Sequence, residues 1–160
     1  MRLEVVKVEI SDGANVIIGQ AHFVKTVEDV YEVVATTCPG SKFGIAFAEA
    51  SGECLIRHDG NDEGLESCAI EACKEIGAGH SFIIYLKGGY PISLLNALKD
   101  VQEVCNIFCA TANQLEAVVV ESETGRGILG VIDGCSPKGV EGEADKAKRA
   151  AFLRKIGYKR

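Results

Sequence analysis

Polar side chains that could carry chemistry recur in this sequence at the points where apolar segments end. Because strand ends line the ligand crevice of layered α/β proteins, these side chains form one candidate group. Its members are His22, Glu49, Arg57, Asn61, Asp62, His80, Asn113, Arg126 and Asp133. The sequence contains no Walker A loop, no dinucleotide-binding glycine fingerprint and no nucleophile elbow, so the common nucleotide-fold and hydrolase motifs do not apply.

His80 is the first candidate for a catalytic residue. It follows the glycine-rich turn 77–79 and precedes the apolar run 82–86, which predicts a strand buried on both faces. An imidazole just before the start of such a strand can act as a nucleophile or a base near neutral pH. His22 is the second candidate for this role. The alternative is a histidine that only makes structural hydrogen bonds.

Two features suit a phosphate group. Gly88 and Gly89 lead into Pro91, which favours a helix start whose free N–H groups and dipole attract an anion. Arg126 lies between two glycines with nothing apolar to pack on, so its guanidinium suits a phosphate or a carboxylate.

The remaining candidates each have a structural alternative. Asn61 or Asp62 caps a helix, Asn113 caps a strand or turn, and Asp133 forms an ordinary turn pair with Gly134. Three separated histidines make a zinc centre a poor fit. A Mg²⁺ that arrives with a nucleotide would need only one or two carboxylates, such as Glu49, Asp62 or Asp133.

The composition predicts one soluble globular domain. The 160 residues are 47% hydrophobic and 25% charged, and no stretch reaches the roughly 18 apolar residues of a membrane span. The net charge is −6, yet residues 143–160 carry seven Lys or Arg against two acidic residues, so the rest is strongly acidic. This argues against nucleic-acid binding. We expect a cytoplasmic protein whose seven cysteines are mostly buried free thiols.

The hydrophobic pattern predicts strands and helices that interleave without strict alternation, hence a mixed sheet with helices on both faces. The first two strands should form a hairpin, and Thr26 with Asp29 is typical of a helix capping box. Gly44, Ala46 and Ala48 give one strand a face of small residues, which predicts close approach of a backbone or ligand. The predicted strands are 3–10, 16–23, 43–49, 54–58, 82–86, 104–112, 115–121 and 128–132, and the predicted helices are 27–36, 65–76, 92–99 and 144–156.

Taken together, seven blocks in order resemble the adenosine-specific kinase family of prokaryotes, which is best represented in archaea and thermophiles. The blocks are GQAHFVKTVED (19–29), PGSKFGIAFAEASG (39–52), GAGH (77–80), PISLLNAL (91–98), ATAN (110–113), GRGILGVIDG (125–134) and LRKIGYK (153–159). They cover nearly the whole chain, and seven matches in sequence are far more specific than any one of them.

The resemblance implies a three-layer α/β/α sandwich with a mixed β-sheet, one domain over residues 1–160 and a homotrimer. It also implies binding of ATP, AMP and adenosine, and phosphoryl transfer through a phosphohistidine. Chemistry then assigns roles within that framework. His80, with His22 second, would carry the phosphoryl group, and Glu49, Asp62 or Asp133 would act as base or metal ligand. Ligand binding would fall to Arg126, Gly88, Gly89, Asn113, Asn61 and Gly79.

Two other functions compete with a phosphotransferase. One is a non-catalytic sensor or buffer for adenine nucleotides, in which histidine phosphorylation is a side reaction or a signal. The other is a scaffold protein, which would bind no nucleotide at all.

Overall fold

The computed structural model describes all 160 residues, and each predicted segment forms its expected element. The strands are β1 (Arg2–Val8), β2 (Ala14–Ala21), β3 (Lys42–Ala48), β4 (Ile56–Gly60), β5 (Ser81–Lys87), β6 (Val104–Thr111), β7 (Leu115–Glu121) and β8 (Arg126–Asp133). The helices are α1 (Thr26–Thr37), α2 (Glu63–Ile76), α3 (Pro91–Lys99) and α4 (Glu143–Lys155). None of the four helices combines the length and apolar character needed to cross a membrane.

A five-stranded sheet of order β4-β3-β5-β2-β6 forms the centre, with β5 in the middle as the buried run predicts. Its neighbouring strands are all antiparallel, so the α/β class is confirmed while the strand pairing is antiparallel rather than mixed. The reason lies in the helical connections. Each of α1, α2 and α3 joins two strands of the same direction, but an antiparallel strand lies between the two.

The predicted hairpin of β1 with β2 is wrong. β1 instead pairs with β7, and β7 with β8, in a separate three-stranded antiparallel sheet. One face of each of β1 and β7 is apolar, and these faces pack on the central sheet. A local turn could not provide that burial, so the tertiary packing decides the pairing.

Helices cover both faces of the central sheet. On one face, α1 and α3 enclose a core that contains Phe43, Phe47 and Phe82. On the other face lie α2 and the three-stranded sheet. The small-residue face predicted for β3 is confirmed, because a Cβ added at Gly44 would overlap the backbone of Glu66 in α2.

The helix ends follow their local sequence in three of four predicted cases. Asp62 caps α2 by accepting a hydrogen bond from the Leu65 N–H at 3.0 Å, and Gly77 ends that helix in the left-handed conformation at φ 61°. Pro91 occupies the first turn of α3. The capping box at Thr26 is wrong, because the Thr26 hydroxyl donates to the Phe23 carbonyl and Asp29 contacts Lys25 instead.

All seven cysteines are free thiols, but the expectation that most are buried is wrong. Three are buried, Cys68 is intermediate, and Cys54, Cys105 and Cys135 are exposed.

Candidate functional site

One end of the central sheet, here called the His80 end, gathers five of the predicted residues. β2 and β3 finish there, while β4, β5 and β6 begin there. Consequently His22, Glu49 and His80 all lie at this end, each just outside a strand. Gly79 belongs to the same turn as His80, and a Cβ added to it would lie 2.9 Å from Cβ of Ala50.

His80 is held firmly by its backbone. Its N–H donates to the Ala48 carbonyl at 2.7 Å, and its carbonyl accepts from the Ala21 N–H at 2.9 Å. Its φ of 62° is a left-handed conformation that costs a non-glycine residue about 1 kcal/mol or more. The imidazole stacks on the Phe47 ring, with 5.8 Å between centroids, and remains partly exposed. Two strands therefore fix the direction in which this ring faces solvent.

His22 lies beside His80. The two imidazoles meet edge to face, with ring centroids 6.2 Å apart. The His22 N–H donates to the Glu103 carbonyl at 2.7 Å, and the ring of the exposed Phe23 lies on its other side at 6.4 Å. The two histidines that the resemblance brought forward are therefore neighbours, although 58 positions of sequence separate them.

Glu49 and Arg57 form an ion pair at the same end, with 3.0 Å between Oε2 and Nη2. Glu49 Oε2 also accepts from the Leu55 N–H at 3.2 Å, while Oε1 accepts no hydrogen bond. Arg57 Nε is buried without a partner. Glu49 Oε1 therefore remains free to accept a hydrogen bond from a ligand, whereas Arg57 Nε is enclosed within the chain.

A charged cluster that we did not predict lies next to His22. Lys25 Nζ is 2.7 Å from Asp29 Oδ2 and 3.5 Å from Glu103 Oε2. The hydrogen bond with Lys25 lowers the pKa of Asp29 and raises that of Lys25. Burial raises the pKa of the Glu103 carboxyl, and a hydrogen bond with Asp29 raises it further. The i, i+4 spacing of Lys25 and Asp29 was a usable signal, whereas Glu103 has no local signal.

The other end of the sheet holds six of the predicted residues, including Asp62, the cap of α2. Asn61 accepts from the Phe43 N–H at 2.8 Å and donates to the Ser41 carbonyl at 2.9 Å, so its amide joins β3 to the turn before α2. Gly88 and Gly89 follow β5 there. Since β5 spans seven residues, these glycines lie about 20 Å from the His80 end.

Asn113 and Asp133 form a small network at that same distant end. Asp133 Oδ1 accepts from the Thr111 hydroxyl at 2.7 Å and from the Asn113 amide at 3.1 Å. Asn113 also lines a cavity of about 380 Å³ formed by the end of β1 and the turn between β6 and β7. These contacts give both residues structural partners remote from His80.

Arg126 lies behind the turn that carries His80. Its Nη2 is 2.8 Å from Glu4 Oε2, and its Nη1 donates to the Glu75 carbonyl at 2.9 Å. It lines a small cavity of about 160 Å³ together with Gly79 and Ser81. The side chain thus joins β8, β1 and the end of α2.

No group of three or more His, Cys, Asp or Glu side chains is arranged to hold a metal ion.

Comparisons with known proteins agree with the resemblance in sequence. The family model described as adenosine specific kinase matches residues 6–159. The crystal structure of the PH1918 protein from Pyrococcus horikoshii OT3 superimposes with a TM-score of 0.95 at 42% sequence identity, over 99% of this chain and 98% of that one. No curated protein matches. Because the family model covers nearly the whole chain, the protein belongs to the adenosine-specific kinase family.

Proposed function

We propose that this protein transfers the γ-phosphoryl group of ATP to adenosine, with His80 as the covalent carrier. Membership of the adenosine-specific kinase family supports the adenosine kinase-like activity and a nucleotide substrate. The observation that carries the covalent step is the placement of His80: a partly exposed imidazole fixed by two strands, stacked on Phe47 and adjacent to a second histidine.

The reaction has two displacements. An imidazole nitrogen of His80 attacks the γ-phosphorus, the bond to the β–γ bridging oxygen breaks, and ADP leaves. The 5′-hydroxyl oxygen of adenosine then attacks the phosphorus, the N–P bond breaks, and the hydroxyl proton passes to a base. His22 is within reach of the same phosphoryl group and Glu49 Oε1 is free to accept a proton, so these two residues are the candidate bases.

Charge compensation comes from the same end of the sheet. Phosphoryl transfer is catalysed mainly by positioning and by neutralising the phosphate oxygens. Arg57, which is paired with Glu49, supplies a partly exposed guanidinium for this purpose. A nucleotide-borne Mg²⁺ would find one carboxylate oxygen, Glu49 Oε1. Asp133, Asn113, Asn61, Gly88 and Gly89 lie too far away to take part in this step.

The test is intact-mass spectrometry after incubation with ATP and Mg²⁺ at neutral pH. An acid-labile phosphoryl adduct should appear on the unmodified chain and on His58→Asn, and should be absent from His80→Asn. Asparagine tolerates the left-handed conformation of residue 80, so this variant should keep its fold. His58 is a matched control because it contacts Glu66 outside the site.

Other outcomes would assign the function differently. Loss of the adduct in His22→Asn alone would move the nucleophile to His22. No adduct in any sample, with nucleotide binding retained, would favour the non-catalytic sensor. The absence of any nucleotide binding would favour the scaffold.

We also propose that the chain works as a homotrimer in the cytoplasm. Helix α4 buries none of its residues within the chain, which supports an oligomer. The seven cysteines of the chain are all free thiols, which fits the reducing environment of the cytoplasm.

A further inference from the structure

Glu103 is the most unusual charged side chain of the molecule. Only 2% of it is exposed, and no N–H or hydroxyl group of the chain donates to its carboxylate oxygens, whose hydrogen-bonding neighbour is the Asp29 carboxyl. Lys25 Nζ, the nearest cation, is 3.5 Å from Oε2 and hydrogen-bonds to Asp29 instead. Because a buried carboxylate without a donor is costly, a ligand that brings a donor would stabilise it.

A depression in the surface lies at this carboxylate. It has a volume of about 460 Å³ and is lined by His22, Phe23, Lys25, Gln102 and Glu103. That volume is within the usual range for a small-molecule site. The Phe23 side chain is 53% exposed, which leaves an aromatic surface free for stacking.

We infer that this depression is the nucleoside subsite, in which Glu103 accepts a hydrogen bond from a ribose hydroxyl and Phe23 stacks on the base. The inference rests on the proposed function. Gln102 adds an amide with both donors and acceptors for a purine edge. For a hydroxyl to reach the buried Glu103 oxygens, the Lys25 ammonium, 3.5 Å from Oε2, must move aside.

The proposed subsite lies next to the histidine from which the phosphoryl group would be transferred. His22 forms one wall of the depression, and its imidazole is the neighbour of His80. A ribose bound at Glu103 would therefore place its nucleoside beside the proposed phosphoryl carrier, whose own position is fixed by β3 and β2.

Calorimetric titration tests the subsite with adenosine and its 2′-, 3′- and 5′-deoxy analogues. We expect Glu103→Gln to weaken adenosine binding about 10- to 100-fold, since a hydrogen bond to a charged group is worth that much. One deoxy analogue should bind the unmodified protein more weakly by the same factor and should lose nothing further on Glu103→Gln. That pattern identifies the hydroxyl that Glu103 holds.

Two further variants separate binding from structure. Glu32→Gln removes an exposed carboxylate from the same helix as Asp29 and should leave every affinity unchanged. Phe23→Ser should weaken adenosine and all three analogues by one common factor, because it removes stacking and no hydroxyl contact.

The results that would overturn the inference are distinct from failure of the proposed function. If Glu103→Gln binds adenosine normally, or weakens all four nucleosides equally, Glu103 does not hold a ribose hydroxyl even though the protein binds adenosine. If the unmodified protein binds no nucleoside, the proposed function fails and the subsite fails with it.

Discussion

Glu103 should reduce the stability of the ligand-free protein at neutral pH. Its carboxyl faces Lys25, which precedes α1, and Asp29 of α1, and it lies beside His22. Burial raises its pKa above the ordinary value of 4.5, so the folded state favours the protonated form. The stability that this group contributes is complete below that ordinary value and is lost as the pH rises through the raised pKa.

We therefore predict that Glu103→Gln increases the free energy of unfolding by about 1–2 kcal/mol at about pH 8, and by much less at pH 4.5. Urea denaturation at the two pH values measures the difference. Asp29 does not confuse the comparison, because its pKa is lowered below 3.8 and its contribution is lost only in stronger acid. An equal effect at both pH values would show that the Glu103 carboxyl does not titrate in this window.

The sequence identified some site residues and overlooked others for physical reasons. His80 was found because the glycine-rich turn before it and the apolar segment after it mark the start of a buried strand, and both are local features of the sequence. Lys25 and Glu103 were overlooked because each lies next to ordinary polar neighbours, and only the pairing of β2 with β6 brings them together. The guanidinium of Arg126 was expected to have no partner within the chain, but it binds the Glu4 carboxylate and the Glu75 carbonyl. Its role in phosphate binding stays a prediction.

At the scale of elements, the crossing of α2 over β3 depends on the absence of one side chain. A Cβ at Gly44 would overlap the Glu66 nitrogen and the Leu65 carbonyl carbon, which are backbone atoms of a helix held by its own hydrogen bonds. Neither β3 nor α2 can move without disturbing the buried core.

We predict that Gly44→Ala lowers the free energy of unfolding by about 3 kcal/mol, measured by urea denaturation. Gly139→Ala is the matched control, because that glycine has open space around its Cα and no positive φ. It should change stability by less than about 0.5 kcal/mol. Similar losses in both variants would mean that glycine flexibility, and not the contact with α2, accounts for the effect.

Element positions could be predicted, but their pairing and local irregularities could not. The length and periodicity of each apolar segment are local properties, so all twelve elements were found. In a regular strand Cys105 and Cys109, four residues apart, would share one face. The pairing of β6 with β2 shifts its register between Ile18 and Gly19, which leaves Cys105 exposed and Cys109 buried.

At the scale of the whole molecule, part of the apolar surface has no cover within one chain. Helix α4 has no buried residue, yet it and the segment after it expose Phe152, Ile156 and Tyr158. The outer face of the three-stranded sheet exposes Leu3 and Val5. An isolated helix of thirteen residues is marginal in water, so α4 needs a surface to pack on.

In the proposed homotrimer, other copies of the chain cover this apolar surface. Light scattering coupled to size-exclusion chromatography tests this by measuring the mass of the particle in solution. The unmodified protein should have three times the 17.0 kDa chain mass. Phe152→Asp places a charge where we expect an apolar contact between subunits, so it should shift the mass toward one chain. Ala147→Asp adds the same charge about 140° around the helix and should leave the trimer intact. A single-chain mass for the unmodified protein would refute the trimer, and dissociation by both variants would attribute the effect to charge or helix propensity instead of to Phe152.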